Sequence, residues 1–167
     1  MSDISFENRT VIVTGAGNGL GKAYAIELGN RGAKVVVNDL GGAVDGSGSG
    51  STPADEVVNE IISNGGEAVA NYDSVATKDG GESIVQSAID NFGTVDAVIN
   101  NAGILRDKSF AKLSEEELSL VIDVHLKGTF FVSQPAFKVM KEKNYGRIVN
   151  VASPSGLFGN FGQSNYG

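Results

Sequence analysis

Residues 14–21 run Thr-Gly-Ala-Gly-Asn-Gly-Leu-Gly, directly behind the apolar stretch Thr10–Val13. The glycines at 15, 19 and 21 fall where a buried strand must turn sharply into a helix. A side chain at these places would hold the backbone off any ligand lying across the turn. The following helix then directs its free amides and the positive end of its dipole at an anion, such as the pyrophosphate of a dinucleotide. The motif confines the opening of the chain to strand, tight turn and helix, and it predicts a bound nucleotide.

The rest of the sequence repeats that alternation. Short runs rich in Val and Ile are expected as strands at Thr10–Thr14, Ala33–Asn38, Glu67–Asn71, Val95–Asn100 and Gly146–Val151. Between them, helical patterns cover Leu20–Gly32, Pro53–Asn64, Thr77–Phe92 and Ser114–Lys143. Such alternation predicts an α/β chain: a doubly wound parallel sheet between two layers of helix, three-layer α/β/α. The Val and Ile content predicts strands buried on both faces. Thr52 reads as an N-cap with Pro53 at the first helical position. Ser114-Glu-Glu-Glu117 reads as a capping box, and Pro135 is expected to kink the last helix or end it early. Gly41–Ser51 is a Gly/Ser/Asp stretch longer than an ordinary connection. It reads as a flexible insert, with a flap on the ligand side as the other reading. No internal repeat is visible, and the 167 residues are expected to form a single nucleotide-binding domain over residues 1–167.

Composition narrows the partners. A net charge of −7 argues against nucleic acid or an anionic membrane, both of which favour basic surfaces. An anionic cofactor stays possible because backbone amides, rather than lysines, can hold its phosphates. The chain has no cysteine, which excludes disulfides, thiolate zinc sites and cysteine nucleophiles; no metal site is expected. The opening Met-Ser-Asp-Ile-Ser-Phe-Glu lacks the basic and apolar regions of a signal peptide. No apolar run reaches membrane-spanning length, so the expected compartment is the cytoplasm.

Asp39 follows the second expected strand, 18 residues beyond Gly21, where an acidic side chain binds the ribose hydroxyls of a dinucleotide. A carboxylate there accepts hydrogen bonds from the diol and repels a 2′-phosphate, which favours NAD over NADP. The other reading makes Asp39 a turn residue ahead of Gly41-Gly42. Asn18 stands where a basic residue would have favoured the 2′-phosphate, and so agrees with NAD.

The spacing Gly-x-x-x-Gly-x-Gly, together with Asn100-Asn101-Ala102-Gly103 after the fourth strand, resembles the short-chain dehydrogenase/reductase family from about Phe6 to Gly167. The resemblance implies a Rossmann fold that binds a nicotinamide cofactor. It implies that Gly15, Asn18, Gly19, Leu20 and Gly21 line the pyrophosphate, that Asp39 holds the adenosine ribose and that Asp73 reaches the adenine. Asn100, Ala102 and Gly103 would pass beneath the cofactor; a plain Asn-rich turn is the other reading. Family members commonly dimerise or tetramerise through the helix at Ser114–Lys143 and the one carrying the catalytic lysine, so a homodimer or homotetramer is implied.

The family's catalytic residues are a serine, a tyrosine and a lysine four positions after the tyrosine. Ser153 and Tyr166 match the first two; Ser155 is the alternative serine, less well placed relative to the tyrosine. A phenol of pKa about 10 is a poor acid–base catalyst at neutral pH until positive charge stabilises its phenolate. In the family, the lysine and the oxidised nicotinamide supply that charge. Ser153 would orient the substrate oxygen and Tyr166 would take the alcohol proton. Without the resemblance, the two would read as a loop hydroxyl and an aromatic near the chain end.

Two departures follow. The sequence given ends at Gly167, before position 170, so the expectation is a Rossmann sheet lacking the family's last strands and helices and an incomplete catalytic set. His125 stands where many members carry an asparagine whose backbone helps hold a water relay. It also shares a helical face with Leu118, Val121 and Ile122, so a packed histidine is an equal reading.

Val37–Gly42, Ala70–Val75, Gly103–Phe110 and Gly159–Gln163 most resemble the family's (3R)-hydroxyacyl-CoA dehydrogenases. They imply NAD-dependent interconversion of a 3-hydroxyacyl-CoA and a 3-oxoacyl-CoA. Peroxisomal location is implied if the chain comes from a eukaryotic multifunctional enzyme. The alternatives are a nucleotide-binding fragment without turnover and a 3-oxoacyl carrier-protein reductase using NADPH.

Overall fold

The computed structural model describes residues 4–42, 45–48 and 52–167. Five strands, β1 (Thr10–Thr14), β2 (Lys34–Asn38), β3 (Glu67–Asn71), β4 (Ala97–Asn100) and β5 (Arg147–Asn150), lie in the order β3-β2-β1-β4-β5. Every pairing is parallel, and β1 stands at the centre, with Val11 opposite both Val35 of β2 and Ala97 of β4. The chain winds outward from β1 in one direction and then in the other. The C-terminal ends of β1 and β4 therefore part into a crevice, the usual ligand position in such sheets.

Strand periodicity divides the core into two layers. Val11, Val13, Val35 and Val37 pack beneath Ala25 of α1 (Gly19–Asn30) and Val57 and Ile61 of α2 (Thr52–Ser63). Ile12, Val36 and Val98 face the other way. They meet Ile84, Val85 and Ala88 of α3 (Lys78–Phe92) and Val132, Ala136 and Met140 of α5 (Gly128–Glu142). Fully burying each of these valine, isoleucine and methionine side chains contributes about 1.5–3 kcal/mol. The result is a three-layer α/β/α sandwich.

At the lower end of the sheet, Asp96 joins three elements. Its carboxylate accepts from the Thr10 amide at 2.9 Å, Lys143 Nζ at 2.7 Å and Arg9 at 3.3 Å. Burial pushes this carboxyl up, but Lys143, the Thr10 amide and Arg9 outweigh it and hold its pKa below the ordinary value.

Local chemistry fixes most of the helix ends. Thr77 caps α3 by accepting from the Gly80 amide, and Gly93 closes it in the left-handed conformation. Ser114 and Glu117 form the capping box that opens α4 (Glu115–Ile122). α1, by contrast, starts from an extended Asn18 that makes no side-chain cap, which leaves its first amides for a ligand.

Four expectations need correction. Thr52 is the first residue of α2 rather than its cap; Pro53 then sits one place further in, where its missing N–H is still one that no helical carbonyl would have used. Position 51, and with it part of the Gly41–Ser51 stretch, lies outside the described residues.

The helix expected over Ser114–Lys143 is divided into α4, a π turn at Asp123–Lys127 and α5. The break comes at the π turn and not at Pro135, which lies inside α5. Proline removes the donor for the carbonyl four residues back, that of Phe131, and Gly81 of α3 lies directly against this carbonyl. Finally, β5 is exposed along its whole length. It pairs with β4 on one edge only, and its apolar composition could not report what would cover its faces.

Candidate active site

The crevice above β1 and β4 is built from backbone held unusually close. Gly15 has φ of +61°, and a Cβ there would lie 2.8 Å from the Ala102 Cα. A Cβ on Gly21 would lie 2.1 Å from the Gly15 carbonyl oxygen. Any side chain at either position would thus force the first turn of α1 away from β1 and β4. Asn18, Gly19 and Leu20 form the exposed rim of this turn, and the space beside Gly19 is open to 4 Å.

Two side chains stitch the glycine loop to the end of β4. Asn101 Nδ2 donates to the carbonyls of Thr14 and Gly15, at 3.0 Å each. Thr14 Oγ1 accepts from the Asn101 and Ala102 amides at 3.1 and 3.0 Å. A sequence reading passed over both residues, because their partners lie more than eighty positions away. The adjacent Asn100 points elsewhere: it is 8% exposed and donates to Ser133 Oγ and Asn150 Oδ1, both at 2.9 Å. It ties β4 to α5 and β5.

Asp39, at the end of β2, spreads its carboxylate between two backbone amides. Oδ2 accepts from Gly17 and Oδ1 from Gly41, at 2.7 Å each. Each oxygen keeps acceptor capacity for a further donor. Asp73 lies further along the same sheet edge. Its Oδ2 accepts from Asn71 Nδ2 at 2.9 Å and Ser83 Oγ at 2.7 Å.

A cleft of about 600 Å³ opens between the glycine loop and the C-terminal segment. Leu20, Asn100, Ala102, Gly103, Ser153 and Tyr166 line it, together with His125 and Thr129. Gly15, Asn18, Gly19, Gly21, Asp39 and Asp73 lie outside its walls, on the side toward β2 and β3. The sequence-predicted residues therefore fall into two groups: one around the cleft, and one along a track leading away from it.

The segment carrying Ser153 and Tyr166 is organised by Gln163, which is 9% exposed. Its side-chain oxygen accepts from Ser155 Oγ at 2.8 Å and Asn160 Nδ2 at 2.9 Å, while its amide nitrogen donates to Asp107 at 2.9 Å. Its backbone carbonyl accepts from the amides of Tyr166 and Gly167. Ser153 Oγ accepts from the Ser155 amide at 3.2 Å, leaving its own O–H free to donate. Ser155 itself is spent on Gln163, which separates the roles of the two serines.

His125 comes from the π turn and stands edge-on to Tyr166, with ring centroids 5.1 Å apart and planes at 72°. Among the described residues, no cluster of His, Asp and Glu could hold a metal ion.

The chain is similar to known proteins in sequence and fold. The family profile described as short chain dehydrogenase matches residues 9–167. The peroxisomal hydratase-dehydrogenase-epimerase of Saccharomyces cerevisiae is 58% identical over 98% of the chain, which spans 18% of that protein. The peroxisomal multifunctional enzyme type 2 of Mus musculus is 54% identical over 99% of the chain, which spans 22% of it. Among solved structures, a 7α-hydroxysteroid dehydrogenase complexed with NADH and 7-oxo glycochenodeoxycholic acid superposes with a TM-score of 0.88. That match has 28% identity and covers 97% of the chain and 60% of the other.

Proposed function

Because the chain belongs to the short-chain dehydrogenase family, we propose that it carries the cofactor site and the proton-handling residues of an NAD-dependent oxidoreductase. Its reaction interconverts a 3-hydroxyacyl-CoA and the 3-oxoacyl-CoA. The observation that carries this reading is one cleft bounded by Ala102 and Gly103 below and by Ser153 and Tyr166 at the side.

The residues fit a dinucleotide. The uncapped start of α1 and the open space at Gly19 suit the pyrophosphate. Asp39, with acceptor capacity left on both oxygens, suits the ribose diol and disfavours a 2′-phosphate. Small residues at Ala102 and Gly103 leave room for a flat ring. Asn100 supports that floor from below, and Asp73 stands where the far end of the track would place an adenine. NAD supplies the hydride acceptor.

Ser153 donates its O–H to the substrate oxygen and fixes the carbinol carbon toward the cofactor floor. Tyr166 takes the hydroxyl proton in the oxidative direction and returns it in the reductive one. Neither step asks anything of the acyl chain, so the choice of a CoA thioester rests on the likeness to the peroxisomal enzymes. The same likeness supports a peroxisomal setting. No described helix is long and apolar enough to cross a membrane. Phe130 and Phe137, each 56% exposed on α5, support assembly into a homo-oligomer through that helix.

The test is NADH formation from a 3-hydroxyacyl-CoA. Tyr166→Phe should abolish turnover and leave NADH affinity within about twofold, since the phenol oxygen acts on the substrate. Retained turnover, or preference for NADPH in the unsubstituted protein, would overturn the reading.

A further inference from the structure

We propose that Asn38 and Asn71, a buried asparagine pair at the C-terminal ends of β2 and β3, are positioning residues for the base of the dinucleotide. They hold the Asp73 carboxylate as a fixed acceptor for the exocyclic amine of adenine. The proposal rests on the reading of Asp73 as the residue that reaches the adenine.

The two asparagines end adjacent parallel strands and stand opposite each other in register. They are 2% and 8% exposed, and a polar side chain buried that deeply is costly unless its bonds are made. Valine would extend either strand without that cost, so the core alone does not account for them.

Their bonds converge on Asp73. Asn38 Nδ2 donates to Asn71 Oδ1 and to the Asp73 carbonyl, each at 2.9 Å. Asn71 Oδ1 also accepts from the Asp73 amide at 3.0 Å, while Asn71 Nδ2 donates to Asp73 Oδ2 at 2.9 Å. Two side chains thus grip Asp73 at its amide, its carbonyl and its carboxylate. Ser83 of α3 adds a donor at 2.7 Å to the same carboxylate oxygen. Among the described residues, both donors to this carboxylate go to Oδ2, which leaves the lone pairs of Oδ1 for a ligand.

Asn38 also joins this grip to the rest of the track. Its backbone carbonyl accepts from the Ala16 amide of the glycine loop at 2.9 Å. The amide of the next residue, Asp39, donates to the Asn71 carbonyl at 3.0 Å. The stretches proposed for pyrophosphate, ribose and base therefore share one anchor.

A carboxylate held in this way discriminates between bases. The exocyclic amine of adenine donates to it, whereas the carbonyl that hypoxanthine carries at the same place presents only lone pairs. A site built to accept from the amine rejects the analogue that lacks it.

NADH and reduced nicotinamide hypoxanthine dinucleotide differ only in the base, and fluorescence reads the affinity of each without any turnover. NADH should bind about tenfold more tightly. Asp73→Ala should remove that preference. Asn38→Ala and Asn71→Ala should each narrow it to about threefold or less, because Asp73 is then free to turn. Asparagines that only braced the sheet would weaken both dinucleotides equally. A preference lost in Asp73→Ala but kept in both asparagine variants would therefore overturn the proposal and leave the adenine reading standing.

If neither asparagine variant folds, the unsubstituted protein decides. A base bound to Asp73 stabilises the network that holds it, so NADH at saturation should slow exchange of the Asn71 side-chain amide protons. The protection should exceed that given by the hypoxanthine form by at least about threefold, and equal protection would overturn the proposal. An unsubstituted protein that binds both dinucleotides equally would overturn the adenine reading and this proposal together, with the dinucleotide site itself intact.

Discussion

Gly81 of α3 lies directly against the backbone carbonyl of Phe131 in α5, the carbonyl that Pro135 leaves without its helical donor. A Cβ at position 81 would meet that group at 2.5 Å. Alanine at 81 improves helix propensity by about 1 kcal/mol, but overpacking against backbone that cannot step aside costs about 3 kcal/mol. Gly81→Ala should therefore lower stability by about 2 kcal/mol, read from the urea midpoint at unchanged slope.

Asp96 gives the chain a signature in acid. Its pKa is held below the ordinary carboxylate value, so the unfolded chain binds its proton more readily than the folded one. The stabilisation is complete above about pH 4 and is lost as pH falls through the depressed folded value. Asp96→Asn should cost about 2–3 kcal/mol at neutral pH, since Lys143 and the Thr10 amide lose a charged acceptor. The gap between variant and parent should close in melts taken below about pH 4.

Asp39 should decide the cofactor. Asp39→Ala removes an acceptor from the Gly17 and Gly41 amides and, on the proposed reading, from the ribose diol. NADH should bind at least about tenfold more weakly. The ratio of NADH to NADPH affinity should narrow, because the negative charge facing a 2′-phosphate is gone. Paired titrations with the two dinucleotides check this.

Asn101 and Asn100 are neighbours with different duties. Asn101→Ala frees the carbonyls of Thr14 and Gly15 and should loosen the glycine loop, at about 1–2 kcal/mol of stability and with weaker NADH binding. Asn100→Ala breaks ties to Ser133 and Asn150, so its effect should appear mainly as faster amide exchange in β5.

The strands of the first half and the turn at Gly15–Gly21 were legible because their causes are local: β-branched runs make buried strands, and glycine permits a tight turn. The exposure of β5 was not legible, since Ile148 and Val149 look the same in sequence whether or not anything covers them. The π turn escaped because one extra residue barely disturbs a helical pattern of apolar spacing. Gln163 and Asn101 escaped for a different reason. Their polar partners Asp107 and Gly15 lie 56 and 86 residues away, and no local rule connects such pairs. Pro135 signals, in sequence, only a change in its own helix, whereas its consequence lies on the helix opposite.

A sheet wound outward from β1 also sets an order on assembly. β2 joins β1 and β3 joins β2 through successive neighbouring units, whereas β4 reaches β1 only across a wide gap; the contact between Thr14 and Ile99 spans 85 residues. Closing that longer loop is the entropically later step. The crevice exists only once it is closed, because its two banks belong to the early and the late half of the chain. A dinucleotide lodged there would act as a proofreader of the finished topology, ignoring half-built chains and drawing the population toward those whose two halves have met.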